Sequence, residues 1–215
     1  MLKLQRGLGT TPAAEPPEGR GVQVIEAGDI VFSVSPAGPG KLPRPYAYAA
    51  RTVGLVRPSG PRVLILGLGL GGVAAEMLRL NPSAILVGVD IAQSSIDWVR
   101  AHPIDGLDVV HADALDYLES CGSFDLIFDD CFVLVGEDAV RPKALRGVPA
   151  VAAQRLRSGG VYVQNTIRAA GGRETPEISA VFRYRRERAF RDWENVLVVA
   201  STRPLDEDRW KRFKR

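Results

Sequence analysis

Hydrophobic residues in this chain form short uninterrupted runs that alternate with amphipathic stretches. The runs RVLILG, AILVGVD and SFDLIFDD are typical of strands buried on both faces of a parallel sheet. The segments GGVAAEMLRL and SSIDWVRA, which follow the first two runs, have the apolar spacing of helices. The same alternation continues through LDVVHAD, ALDYLES, PAVAAQRLR and VYVQNTI, and two more strand candidates follow. The pattern predicts an α/β fold with a Rossmann-like, doubly wound sheet.

The beginning and the end of the chain depart from this pattern. Residues 1–20 are rich in Pro, Gly, Thr and Ala, which predicts a flexible arm. Two β-branched runs flank Gly28 and Asp29 in VQVIEAGDIVFSVS, and this predicts a β-hairpin. We therefore divide the chain into an arm (1–20), a hairpin with a linker (21–44), the Rossmann-like domain (45–205) and a basic C-terminal tail (206–215).

Composition narrows the class of protein. A chain of 215 residues can bury one sizeable core. No apolar run approaches the ~20 residues that span a bilayer, and the N-terminus lacks the apolar core of a secretory signal. Two cysteines suggest neither a disulfide framework nor a zinc site, and no other metal-ligand cluster is evident. These observations favour a cytoplasmic protein without a membrane partner or a metal.

The net charge of +3 is unevenly distributed. Residues 168–215 contain 13 basic and 8 acidic residues, whereas the remainder of the chain is slightly acidic. The interleaved acids predict a solvated face with a basic tail. A surface for RNA or another anion stays open as the less favoured alternative.

The first candidate ligand-binding residues follow the first strand of the predicted sheet. Gly67, Gly69 and Gly72 form a G-x-G-x-x-G pattern between this strand and a helix, where free N–H groups favour an anionic ligand. Asp90 ends the second strand, and its carboxylate can accept both hydroxyls of an adenosine ribose. The combination predicts a nucleotide-type site. Tight strand–helix packing with a capping aspartate is the alternative.

Two polar residues belong to the third predicted strand, and one of them bears on the kind of nucleotide. Asp113 at its end can accept the exocyclic amine of adenine, and it can also cap the helix ALDYLES. The two roles are compatible. An NAD(P)-dependent oxidoreductase stays open on the glycines alone, but Asp113 argues against it. His111 is predicted to be a buried core imidazole.

These motifs together, with FDLIFDD, LRSGGVYVQN and ENVLVVAST, resemble the class I S-adenosylmethionine-dependent methyltransferases, and they are most similar to the spermidine synthase-like branch. The resemblance covers roughly residues 45–205. It implies a seven-stranded sheet with the last strand antiparallel, S-adenosylmethionine as cofactor, and a homodimer. The cofactor-binding residues that it implies are Gly67, Leu68, Gly69 and Gly71 for the methionine portion, Asp90 for the ribose, and Ile91, Asp113 and Ala114 for adenine.

The chain also departs from the aminopropyltransferase pattern. These enzymes carry a D-x-x-D motif after the fourth strand, and here Asp130 fits its first position but Val133 occupies the second. Leu70 replaces the usual aspartate in the glycine loop, and an upstream Tyr–His–Glu cluster retains at best Tyr46. A polycationic substrate needs several carboxylates to replace its hydration. The departures therefore argue against polyamine synthesis.

We expect methyl transfer to a small molecule or a peptide-derived intermediate, with Asp130 as the base or orienting group and Asp129 on the opposite face of the sheet. A non-catalytic scaffold with the same fold is the main alternative. An aminopropyltransferase and a nucleic-acid methyltransferase are less favoured. The residues expected to line the substrate cavity are Tyr46, Tyr48, Gln164 and Asn165.

Overall fold

The computed structural model describes residues 24–27, 30–36, 42–56, 59–135, 138–167, 176–191 and 193–214. Its strands are β1 (Val24–Ala27), β2 (Ile30–Val34), β3 (Arg62–Leu66), β4 (Ile85–Asp90), β5 (Leu107–His111), β6 (Phe124–Asp129), β7 (Val133–Val135), β8 (Asp138–Val140), β9 (Leu156–Ile167), β10 (Tyr184–Phe190) and β11 (Trp193–Ser201). Its α-helices are α1 (Arg44–Arg51), α2 (Gly72–Leu80), α3 (Gln93–Ala101), α4 (Ala114–Ser120), α5 (Val148–Arg155), α6 (Pro176–Val181) and α7 (Glu207–Lys214). Short 3₁₀ helices cover Thr52–Leu55 and Lys143–Gly147.

Seven strands form one sheet in the order β10-β11-β9-β6-β3-β4-β5. Strands β9, β6, β3, β4 and β5 are parallel, whereas β11 runs antiparallel to both of its neighbours. The predicted α/β doubly wound sheet with an antiparallel last strand is therefore confirmed. Strand order reverses at β3, which lies between β4 and β6, and ligands of such sheets bind at this switch point, beyond the carboxyl ends of the strands.

The central strands are buried because both faces of the sheet are covered. Successive side chains of a strand point to opposite faces, so the apolar run of β3 contributes to two separate cores. Val63 and Ile65 belong to the core on the face covered by α1, α2, α3 and α7, which we call the α2 face. Leu64 and Leu66 belong to the core covered by α4, α5 and α6, the α5 face.

The N-terminal strands pair with each other and contact the sheet domain. β1 and β2 are antiparallel, in agreement with the predicted hairpin, although the predicted turn at Gly28 and Asp29 lies outside the described residues. The predicted flexible arm (1–20) also lies outside them. At the end of β2, the Ser33 hydroxyl accepts a hydrogen bond from the Leu70 backbone N–H at 2.8 Å. The hairpin therefore lies against the loop that follows β3.

Two segments form structure that the sequence analysis did not predict. The predicted basic tail is mostly helix α7, because Trp210 and Phe213 recur at helical spacing and are buried in the α2-face core. The segment after β6, for which the sequence analysis predicts no strand, contains the short antiparallel pair β7–β8. Both signals were weak in the sequence, since charged residues surround the two aromatics and each strand has only three residues.

Candidate active site

The loop after β3 is held tightly by other parts of the protein. Gly67 has φ +81°, and a Cβ atom there would lie 2.5 Å from the Asp130 carbonyl oxygen. Gly69 has φ +55°, and its Cβ would lie 2.2 Å from the Ser33 hydroxyl oxygen. A side chain at either position would combine an unfavourable backbone conformation with a clash. These two glycines therefore let the loop fit between the end of β6 and the hairpin.

Asp90, at the carboxyl end of β4, fixes this loop from the other side. One of its carboxylate oxygens accepts the Gly69 N–H, and the other accepts the Ala92 N–H, both at 2.8 Å. Burial raises the pKa of Asp90, and these backbone hydrogen bonds oppose the rise. Each carboxylate oxygen can accept a second hydrogen bond, so the group keeps acceptor capacity for ribose hydroxyls.

The other predicted cofactor residues lie at the same edge of the sheet. Asp113 caps α4 through one oxygen, Oδ1, which accepts the Leu115 N–H at 2.7 Å and the Asp116 N–H at 3.3 Å. Ile91 is 58% exposed, so its side chain is accessible to a ligand. The Leu68 side chain is buried against Gly88, so only the backbone of Leu68 is available to a ligand.

Asp130 lies directly after β6, half-buried beside the glycine loop. Its N–H donates to the Leu66 carbonyl at 2.8 Å, and its carboxylate accepts a hydrogen bond from Asn165 Nδ2 at 2.7 Å. The Asn165 oxygen in turn accepts from Asn195 Nδ2 at 3.2 Å. Burial raises the pKa of Asp130 to about 7, despite the opposing hydrogen bond from Asn165. A carboxyl group with such a pKa can accept a proton near neutral pH.

The two predicted tyrosines of α1 have different surroundings. Tyr46 is buried, and its pKa is raised by burial and then by the negative charge of Asp130, which indicates that its ring lies near that carboxylate. Tyr48 instead packs edge-on against Phe190, at 5.4 Å between ring centroids. Its hydroxyl accepts a hydrogen bond from Arg188 on β10 at 3.2 Å. Tyr48 is therefore part of the core beside the outer strands.

Asp129 and Gln164 lie on the α5 face, opposite Asp130 and Asn165. Arg141 binds the fully buried Asp129 carboxylate with two hydrogen bonds of 2.8 and 2.6 Å, and the Tyr162 hydroxyl donates a third. The Gln164 amide, oriented so that its oxygen faces Arg141, accepts from Nε at 2.9 Å. The expected opposite orientation of Asp129 is observed. Of the four residues expected to line the substrate cavity, Tyr46 and Asn165 lie near Asp130.

Sequence reasoning missed three residues of this region, and it placed a fourth wrongly. Asn195 directly precedes the apolar run of β11, a position that could have identified it. Ser33 and Arg141 gave no such signal, because each acts on a segment distant in sequence. His111 was expected in the core but is exposed, because β5 is an edge strand, and its Nε2 lies 3.0 Å from the Ile91 carbonyl oxygen.

Comparison with known families gives a match for the central part of the chain. The family described as a methyltransferase domain matches residues 63–160, which run from β3 into β9. No curated protein sequence matches the chain. Among the described residues, none of the helices is both long and apolar enough to traverse a bilayer.

Solved structures share the fold over most of this chain. Human methyltransferase-like protein 13, crystallised with SAH, is 19% identical with a TM-score of 0.67, over 80% of this chain and 89% of that one. A probable spermidine synthase from Corynebacterium glutamicum is 18% identical with a TM-score of 0.67, over 86% and 78%. A 16S rRNA methyltransferase from T. thermophilus, in complex with AdoMet and guanosine, is 22% identical with a TM-score of 0.60, over 87% and 52%. The fold is that of the class I methyltransferases, spermidine synthase-like proteins included.

Proposed function

We propose that this chain, which has the class I methyltransferase fold, transfers a methyl group from S-adenosylmethionine to a small molecule or a peptide-derived intermediate. The observation that carries this proposal is the position of Asp130, together with its hydrogen bond and its raised pKa. It lies at the switch point of the sheet, is oriented by Asn165, and has a pKa of about 7. These are the properties of a group that accepts a proton from a bound substrate.

The residues at the edge of β3, β4 and β5 fit an adenosyl ligand. The Asp113 oxygen Oδ2 is left for the exocyclic amine of adenine, since both described hydrogen bonds of this carboxylate use Oδ1. The exposed Ile91 side chain supplies an apolar surface for the ring, and the backbone of Ala114, which begins the helix that Asp113 caps, would face its edge. Asp90 would hold the ribose, and the backbone of Gly67, Gly69 and Gly71 would face the methionine portion.

S-adenosylmethionine, when bound, supplies an electrophilic methyl group on a sulfonium sulfur. The chain's own contribution is to align an acceptor hydroxyl or amine with that methyl group and to remove its proton. The Asp130 carboxylate receives the proton, the acceptor keeps the electron pair that forms the new bond to carbon, and the electrons of the broken C–S bond return to sulfur. Asn165 holds the carboxylate in place during this step.

The polar groups around Asp130 favour an acceptor with little positive charge. Tyr46 and Asn165 offer hydrogen bonds without a net charge, and Asp129 is neutralised on the other face by Arg141. Leu70, in place of the usual aspartate, is buried and apolar. A polyamine would need several carboxylates to replace its hydration. This supports a neutral or singly charged acceptor over a polycation.

Calorimetric titration with S-adenosylhomocysteine tests the proposal at its first step. Asp90→Ala should weaken binding by about 1.5–3 kcal/mol, because hydrogen bonds to a charged group are lost. Asp97→Ala is the matched control, since Asp97 is an acid on the neighbouring helix α3 that accepts a hydrogen bond from Gln93. If the wild-type chain does not bind S-adenosylhomocysteine, or if both variants bind equally, the proposed cofactor site is wrong.

The location and assembly of the protein remain predictions. Cys121 and Cys131 are both free thiols, which is compatible with the reducing cytoplasm expected from the sequence. A homodimer is expected from the family resemblance only. Light scattering on the purified chain measures the molar mass directly, and a value near 23.3 kDa would contradict the dimer.

A further inference from the structure

A cleft lies at the edge of the sheet that is opposite to the candidate active site. It has a volume of about 530 Å³, and it lies where the chain enters β3 and β4, whereas the glycine loop follows the exit of β3. The five residues of β3 separate the two places by about 17 Å. The residues that line the cleft are Arg51, Val53, Gly54, Val56, Leu80, Asn81, Pro82, Arg209, Arg212 and Phe213.

Three arginines give this cleft a positive charge. Arg51 donates to the Arg212 carbonyl at 3.0 Å, and Arg209 donates to the Leu55 carbonyl at 3.3 Å. These bonds fix the position of two guanidinium groups and leave other donors, because a guanidinium carries five N–H groups. Among the described residues, the exposed Arg212 side chain has neither a hydrogen bond nor an ion pair.

Little negative charge compensates these arginines. The lining contains no aspartate or glutamate among the residues that the structure describes. Asp206, at the entrance to α7, lies 3.7 Å from Arg209 Nε. The pKa of its carboxyl is lowered by backbone hydrogen bonds and by the charges of Arg209 and Arg212, so this one acid interacts with two of the three arginines. The next two acids of that segment contact other cations, Glu207 with Arg186 and Asp208 with Lys211. The cleft therefore keeps an excess of positive charge that an anion can neutralise.

The same cleft also offers an apolar surface. Leu80, which is 40% exposed at its side, is the accessible part of this surface, whereas Val53, Val56 and Phe213 lie almost fully buried below it. A volume of this size accommodates a drug-sized ligand. Guanidinium groups bind phosphate oxygens in a bidentate manner, with two parallel hydrogen bonds. The combination of fixed guanidinium groups and an apolar wall suits a ligand with both a phosphate and an apolar body.

We propose that this arginine cleft binds a phosphate-bearing small molecule of about nucleotide size. The proposal is independent of methyl transfer, since the cleft shares no residue with the candidate active site. Its occupant would bridge α1 and α7, which are joined there by the bond from Arg51 to the Arg212 carbonyl. Binding should therefore stabilise the packing of the C-terminal helix.

Calorimetric titration of the full chain with pyrophosphate and with AMP tests the cleft. We expect both to bind, with AMP tighter because its base can contact the apolar wall. Arg212→Gln should weaken both by about tenfold, the value of one charge-assisted hydrogen bond. Lys211→Gln is the matched control, because it removes the same charge from the same helix at a residue outside the cleft, and it should change the affinity by less than about twofold.

Four outcomes would overturn the proposal. The first is no binding of either probe by the wild-type chain, and the second is an equal effect of the two variants. The third is citrate competing as well as pyrophosphate, which would indicate a general anion surface. The fourth is a short RNA that binds more tightly than AMP and loses its affinity in Arg212→Gln, which would assign the cleft to a nucleic-acid backbone instead of a small molecule. Unchanged binding of S-adenosylhomocysteine by Arg212→Gln separates this site from the proposed cofactor site.

Discussion

Two adjacent aspartates at the end of β6 lie on opposite faces of the sheet and have different partners there. On the α5 face, the Asp129 carboxylate is fully buried, and Arg141 and Tyr162 satisfy its charge. On the α2 face, the described side-chain donor to Asp130 is the neutral amide of Asn165. Burial raises the pKa of Asp130 to about 7. Because the side chains of a strand alternate between faces, neighbouring positions place a charge-paired aspartate on one face and the proton acceptor that we propose on the other.

Asp129 also holds neighbouring backbone segments in place, which Asp130 does not do. Arg141 follows β8 directly, so its ion pair with Asp129 holds the β7–β8 segment against the end of β6. The same guanidinium donates to the Leu145 carbonyl at 3.4 Å, at the entrance to α5. A neutralised carboxylate thus fixes the backbone around the site, and the carboxylate beside it stays available for chemistry.

One substitution on each face should separate these roles, and Asp130→Asn should have the largest effect of all. Removing a general base should lower kcat by about 10²- to 10⁴-fold. The affinity for S-adenosylhomocysteine should stay within about twofold, because the cofactor residues are on other strands. Methyl transfer to the acceptor, once an acceptor is known, is followed by mass spectrometry. A variant that keeps its wild-type rate would show that Asp130 is not the base.

The reverse result is expected on the other face, where stability rather than chemistry should change. Arg141→Met leaves the Asp129 charge buried without its partner, which should destabilise the fold by about 3–5 kcal/mol. Arg157→Met is the control, since Arg157 forms an ion pair with Asp125 at the surface and should cost less than about 1 kcal/mol. Urea denaturation measures both. Equal destabilisation by the two substitutions would contradict the anchoring role of Arg141.

The pH dependence of the rate should report Asp130. Its carboxyl must be ionised to accept a proton, so kcat/KM should rise as the pH increases and level off above about 7. Well below that value, each pH unit should cost about tenfold. Because the folded pKa lies above the ordinary value of 3.8, the stability contributed by this group should be present below pH 4 and be lost as the pH rises to about 7. In Asp130→Asn the rate dependence should be absent, and its persistence would assign it to another group. The stability dependence should become smaller in this variant, because Asp90, whose pKa burial also raises, contributes in the same direction.

The comparison also separates what the sequence could predict from what it could not. The parallel strands were predictable, because a strand buried on both faces must be apolar throughout, as β3 and β6 are. Asp90 and Asp130 could be located as well, since each ends or directly follows such a run, and Asp113 could be located because it comes two residues after β5 and begins the next helix. Periodicity therefore placed the carboxylates at one edge of the sheet.

The partners of these carboxylates depend on information that periodicity lacks. Arg141 reaches Asp129 from twelve residues further along, after a segment without a clear pattern. The opposite faces of Gln164 and Asn165 follow from alternation, but which of them faces Asp130 depends on the register of β6 with β9. The exposure of His111 depends on strand order, which makes β5 an edge.

The smallest predicted effect concerns the two asparagine side chains that are hydrogen-bonded in series to Asp130. Asn195 donates to Asn165 through a neutral hydrogen bond of 3.2 Å, so Asn195→Ala should lower kcat by the equivalent of about 0.5–1.5 kcal/mol. The same change should move the midpoint of the pH profile upward, because a less well held Asn165 donates less effectively to the ionised carboxylate, and this bond lowers the pKa of Asp130. A pH titration of kcat/KM measures the midpoint. Thr166→Ala, on the adjacent β9 position, is the control for a general loosening of the strand. If the rate falls without a shift of the midpoint, or if the control behaves alike, Asn195 supports the sheet and does not tune Asp130.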